Sequence, residues 1–217
     1  MSPAPVDPWP HADFADSPDP AAWIGHRRMA WEPQAGYRVG NEVPQGYATY
    51  LRILHRSSLP GMPEEAVLDA LVTGFERGGD TWTTACWFAY WKGWGALEAN
   101  LQALTGRTTW TSVVEEQGAF TLGDRDYVLM SGPLAAVLRR PDPPTPTLSP
   151  QLWWPEDGHW FVATDIDFHF SLVGADEHLA AVISEQEGID VQQVAWEDRL
   201  NMPPGPGRPT PTAGSSI

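Results

Sequence analysis

The chain predicts an α+β fold, with a mostly antiparallel sheet of short strands and two or three helices packed on one face. Three observations carry that expectation. Short runs rich in Val, Ile, Tyr, Phe and Trp recur between Gly and Asp turn signals, as in 46–55, 83–91 and 119–130. Two segments, 63–79 and 175–187, instead carry apolar residues at helical spacing. The 22 Pro and 20 Gly interrupt the chain too often for a bundle of long helices.

Residues 1–18 form a proline-rich arm, disordered or docked through Trp9 and Phe14. Asp19-Pro20 reads as an N-cap with proline at the first helical position, so a short helix follows over 20–31, with Trp23 and Ile24 on one face. His26-Arg27-Arg28 is the one local basic cluster; it is too small for a nucleic-acid site and is expected to pair with the acidic body. A strand follows over 46–55. Pro63 opens a helix with Glu64 and Glu65 in its first turn, where carboxylates favour the positive helix end. Val67, Leu68, Leu71, Val72 and Phe75 make its apolar stripe, and Gly78-Gly79 ends it.

The strand over 83–91 is apolar on both faces, with Trp87, Ala89 and Trp91 on one side and Cys86, Phe88 and Tyr90 on the other, which places it centrally in its sheet. A short helix over 96–104 leads to a meander of 110–115, 119–122 and 126–130, turning at Gly118 and Gly123-Asp124. A short helix covers 133–139. The proline-rich run 141–150 is a stiff loop inside one domain, because the part that follows is too small to stand alone. There, 152–154 and 160–164 pair as a hairpin across 155–158. A helix over 175–187 turns Leu179, Val182 and Ile183 inward, and 191–196 closes the sheet. The organisation expected is an arm over 1–18, one α+β domain over 19–200 and a disordered tail over 201–217.

Charge and composition narrow the function classes. With 13 basic against 28 acidic residues the net charge is −15, which repels nucleic acid and anionic membrane alike and suits a basic protein partner. The one cysteine, Cys86, allows no internal disulfide and sits in an apolar run, as an inert thiol does. No signal peptide is visible, and no apolar run approaches the roughly 20 residues that span a bilayer, so the expected location is the cytoplasm. No cofactor is expected from any motif: a nucleophile elbow, a phosphate loop, a dinucleotide fingerprint and zinc spacing are all missing from the sequence.

Three patches, 46–55, 86–95 and 149–167 (SPQLWWPEDGHWFVATDID), together resemble a family of uncharacterised actinobacterial proteins. The likeness spans roughly 46–200 and omits both tails. It implies no activity, cofactor or catalytic residue. His169 departs from the residue type expected in that family, which counts against a metal site built on it.

The chemistry-bearing candidates cluster in one stretch. If Asp165-Ile166-Asp167-Phe168-His169 is a strand, Asp165, Asp167 and His169 share a face, and two carboxylates with an imidazole suit a divalent ion or proton sharing. The bland reading is a half-exposed strand whose Ile166, Phe168 and Phe170 fill the core. Glu156, Asp157 and His159 form a polar hairpin tip that would join that site or serve as a binding surface. The 12 tryptophans read mainly as core; if one is exposed as a binding surface, it is Trp94 or Trp154. His55 is expected as a satisfied, partly buried histidine rather than a partner of Cys86. Two functions remain: a non-catalytic binding or protein-interaction module with an acidic, aromatic surface, such as an inhibitor of a basic toxin or nuclease; and a small metal-assisted hydrolase or transferase built on Asp165 and Asp167.

Overall fold

The strand-forming runs assemble into one sheet. The computed structural model describes residues 12–32, 34–57, 60–93, 118–138 and 149–200. Within them, the strands are β1 (Asp13–Phe14), β2 (Thr49–Leu54), β3 (Ala85–Trp91), β4 (Ala119–Leu122), β5 (Arg125–Pro133), β6 (Leu152–Pro155), β7 (Phe161–Ala163), β8 (Phe170–Ala175) and β9 (Asp190–Val194). The helices are α1 (Ala22–Arg27), α2 (Glu65–Gly78) and α3 (Glu177–Ser184), with short 3-10 turns at Asp19–Ala21, Val39–Asn41 and Leu134–Leu138. All strand pairings are antiparallel, in the order β5-β3-β6-β7-β8-β2-β9. The outer edge of β5 is shared: β4 pairs along Arg125–Val128 and β1 along Met130–Ser131. This is the expected α+β architecture.

β3 is central, as its doubly apolar pattern requires, with β5 on one side and β6 on the other. Because β3 and β6 pair directly, with Trp87 opposite Trp154 and Phe88 opposite Trp153, the chain on both sides of the proline-rich run shares one sheet. The β6–β7 hairpin turns at Gly158, whose φ of 69° only glycine adopts readily. The arm docks through Phe14, which is 9% exposed on the β5 edge; Trp9, the meander's first strand and the 96–104 helix lie outside the described residues, as does the tail over 201–217.

Alternation divides the side chains between two cores. One face packs Leu51, Ile53, Phe88, Val128, Met130, Trp153, Val162 and Val173 beneath α2, α3 and the Leu134–Leu138 turn. Phe75 of α2 stacks on Trp160 at 3.9 Å and meets Trp153 edge-on at 5.4 Å. At the end of α2, Gly79 takes φ 119°, and the Asp80 N–H reaches back to the Phe75 carbonyl. That cap sets Asp80 to accept the Trp160 indole N–H at 2.8 Å.

The other face is covered too. α1 and the irregular stretch 37–47 pack Ile24, Val39 and Val43 against Leu129, Trp154, Phe161, Phe168 and Leu172. Helices α2 and α3 do lie on one face, but α1 lies on the opposite one, and this is why all six residues of β8 are buried. Two expected elements are shorter or tighter than the pattern suggested: the first helix is only Ala22–Arg27, and 133–139 is a 3-10 turn over Leu134–Leu138.

His55 follows β2 into the α2-side core, where it is 8% exposed. Its Nε2 lies 2.9 Å from Ser171 Oγ, which in turn lies 2.7 Å from Thr164 Oγ1, and Cys86 is not its partner. Burial lowers the His55 pKa from 6.5 to about 4, against the opposing charge of Glu64. The sign follows from linkage: the unfolded ring takes up a proton near pH 6.5, the folded ring only near pH 4. The stabilisation is therefore complete above the unfolded value and lost as pH falls towards the folded one. Denaturant midpoints are expected to give a loss of about 2–3 kcal/mol between pH 7 and pH 4.5 beyond that of His55→Gln. Equal pH slopes in the two proteins would refute it.

Candidate functional site

The expected acidic strand is a turn. β7 ends at Ala163, β8 begins at Phe170, and the intervening residues fold on themselves because Asp165 Oδ1 accepts the Asp167 N–H at 2.8 Å and the Asp165 carbonyl accepts the Phe168 N–H at 3.2 Å. Asp offers its own backbone this alternative to a ladder. Asp165, Asp167 and His169 therefore do not share a strand face. Gly61 packs on this turn: it has φ +69°, its N–H donates to the Phe168 carbonyl at 2.7 Å, and a Cβ there would come 2.4 Å from the Ile166 Cα.

Asp165 is 6% exposed and belongs to an ion pair. The Arg125 Nη1 meets its Oδ2 at 2.5 Å, and Nη2 reaches its Oδ1 at 3.4 Å and Asp167 Oδ2 at 3.4 Å. The guanidinium also lies over the Trp91 ring, 5.4 Å from its centre. Burial alone would lower the Arg125 pKa, but the Asp165 carboxylate outweighs it and holds the group above the usual arginine range. With the Asp167 N–H and two guanidinium contacts on it, the Asp165 carboxylate has little lone-pair capacity left for a metal or a substrate proton. Asp167 is half exposed, and His169 turns away to Ser57, its Nδ1 lying 3.2 Å from that carbonyl oxygen.

A second buried acid, unnoticed in the sequence, lies within electrostatic reach. Glu42 is 4% exposed, accepts the Tyr37 hydroxyl and lies 3.5 Å from Arg28 Nη2. Burial raises its pKa against the pull of Arg28, and the Asp165 charge adds to the rise. Arg28 thus makes the internal pairing expected of the basic cluster. Arg28, Glu42, Arg125 and Asp165 form a network that ties the 37–47 stretch and β5 to the 164–169 turn.

The hairpin tip keeps its acids exposed. Glu156 and Asp157 face solvent, and His159, with 41% of its side chain exposed, bridges two carboxylates: Nδ1 to Asp157 Oδ1 at 2.6 Å and Nε2 to Asp80 Oδ2 at 3.3 Å. His159 hydrogen bonds hold the Asp157 pKa low despite a desolvation penalty acting the other way. Both ring nitrogens are engaged, on opposite sides, so the tip does not converge on one ion. Among the described residues no group of three or more His, Cys, Asp or Glu is arranged to hold a metal. Burial, with the charges of Asp80 and Asp157, pushes the Cys86 thiol well up, which leaves it unreactive.

The tryptophans are not where the pattern suggested. Trp154 is 1% exposed, edge-on to Trp23 at 6.3 Å and stacked with Phe161 at 5.6 Å, so it is core and offers no binding surface. Trp94 lies outside the described residues. The exposed tryptophans among those described are Trp31, at 61%, and Trp82, at 42%. Trp82 borders a groove of about 310 Å³ lined by Glu65, Asp69, Val72, Thr73, Glu76 and Leu138. Reading Glu65 only as a helix-end charge concealed the row it begins: Glu65, Asp69, Thr73 and Glu76 lie at i, i+4, i+8 and i+11 on one stripe of α2.

No protein-family model, curated protein or solved structure matches this chain. Among the described residues no helix is long and apolar enough to cross a membrane.

Proposed function

We propose that this protein is a non-catalytic binding module that uses an acidic surface to engage a basic protein partner. The observation that carries the reading is charge segregation. From 141 to 198 the chain has 12 Asp and Glu and no Lys or Arg. Of these acids, Asp176, Glu177, Glu185, Glu187 and Asp190 are exposed on and around α3, which packs on the Gly74 and Gly78 side of α2, while the acidic stripe of α2 lies on that helix's other flank. Complementary charge steers encounter and excludes partners of like sign.

The metal-assisted hydrolase reading on Asp165 and Asp167 has less support, because Arg125 already occupies the geometry an ion would need. The test has two arms. A fluorescein-labelled lysine–glycine peptide should bind saturably with one-to-one stoichiometry at about 150 mM salt, where screening sets in beyond about 8 Å, and a glutamate–glycine peptide should not bind. Calorimetry with Mg²⁺, Mn²⁺, Ca²⁺ and Zn²⁺ should give no heat that Asp167→Asn abolishes. Absence of peptide binding, or a metal titration that depends on Asp167, would overturn the proposal.

A further inference from the structure

We propose that the groove between α2 and the Leu134–Leu138 turn docks a basic amphipathic helix of a partner protein; this rests on the reading above and narrows it to one surface. The inner stripe of α2 is committed to the core, but its outer row is not. Glu65, Asp69 and Glu76 place three carboxylates along about 16 Å of helix at 1.5 Å per residue. The facing wall is apolar: Leu138, and Trp82 in the turn that follows α2, with Val72 in the floor. That wall is fixed in position, because the Trp82 carbonyl accepts the Ala135 N–H at 3.2 Å and the Thr84 carbonyl accepts the Leu134 N–H at 2.8 Å.

Size and spacing select the occupant. At about 310 Å³ the groove sits at the low end of small-molecule pockets, roughly 300–1,000 Å³, and suits side chains of a longer ligand better than an enclosed one. Carboxylates at intervals of four and seven residues match the row spacing of a second helix lying alongside, so Lys or Arg on one edge can meet them while Leu-like residues enter between Trp82 and Leu138. A cation on the Trp82 face adds to the attraction. A second copy of this chain would bring another net charge of −15 and is disfavoured. Glu65, Asp69 and Trp82 each already hold an interaction, so a partner adds to it or exchanges with it.

The probe is a fluorescein-labelled peptide with Leu and Lys at helical spacing, read by anisotropy against a scrambled peptide of the same composition. The amphipathic peptide should bind at least about tenfold tighter than the scrambled one, and Trp82→Ala should cost about tenfold, as central aromatic contacts do. Thr73→Arg, an exposed position, should cost as much, which keeps the test decisive if Trp82→Ala folds poorly. Glu177→Gln with Glu185→Gln on α3 should cost under about threefold, about the size of a rim effect. Equal affinity for the two peptides, or losses only on α3, would overturn the groove and leave the acidic-surface reading standing; binding by no cationic peptide at all would remove that reading itself. Two results would give the groove to another occupant and so overturn the proposal: about tenfold tighter binding in Arg139→Gln/Arg140→Gln would point to this chain's own arginines, and a dimer dissolved by Thr73→Arg would point to a second copy.

Discussion

Replacing Arg125 with methionine should destabilise the fold by up to roughly 3–5 kcal/mol, the range for a fully buried ion pair, which the 22% exposure of the Arg125 side chain makes an upper bound. The Asp165 side chain is 4% exposed and would be left with the Asp167 N–H on its carboxylate and no guanidinium beside it. Glu42 makes the loss larger, since Arg125 also offsets that buried carboxylate and the two acids repel each other. The cause is separable from lost packing. Methionine keeps much of the arginine stem but gives up the guanidinium's place over Trp91, a loss the single and double variants share, and Asp165→Asn keeps the acceptor that closes the 164–169 turn. The double variant Arg125→Met/Asp165→Asn should therefore recover much of the loss, with a coupling energy at the upper end of the roughly 0.5–3 kcal/mol measured for contacting residues. Chemical denaturation of the four proteins gives the cycle. If the double variant loses as much as Arg125→Met alone, the stranded Asp165 carboxylate is not the cause of the loss, and the ion pair does not hold the turn.

The same pair shows where sequence reading reaches its limit. Asp-Ile-Asp-Phe-His has a period of two, which a strand requires but a turn does not forbid, and nothing within five residues distinguishes them. What closes the turn is the Asp165 carboxylate on the Asp167 N–H, and what holds that carboxylate in place is Arg125, 40 positions upstream and brought close by β5. Trp154 was misjudged for a related reason. Its own strand was legible, but the ring that covers it is Trp23 of α1, far upstream in the chain and brought over β6 only by the fold. By contrast α2 was legible in its stripe, in Glu65 of its first turn and in its glycine end, although it begins at Glu65, with Glu64 as its N-cap, and not at Pro63. β3 was legible as well, because its two apolar faces demand neighbours on both sides. The groove falls between these cases: its acidic row is written in α2 at i, i+4 and i+11, while Trp82 and Leu138 join it only through the fold.

Truncating Phe75 to alanine should cost roughly 3–5 kcal/mol, and the upper part of that range is expected because its surroundings cannot relax. The ring is fully buried, stacked on Trp160 and edge-on to Trp153. Trp153 is held in β6, and Trp160 is pinned by its indole bond to Asp80, so neither can move far into the void. Phe75→Leu separates volume from ring geometry: it keeps most of the filling and forfeits two ring contacts worth about 0.5–1.5 kcal/mol each. Urea midpoints at unchanged m-value should rank the wild type above leucine and leucine above alanine, with the larger step between leucine and alanine. A loss below about 1 kcal/mol for alanine would mean that α2 lies loosely on the sheet, against the usual cost of opening a core cavity. The outer row of Glu65, Asp69 and Glu76 would then be no fixed surface, and the groove they border would not hold a helix in register.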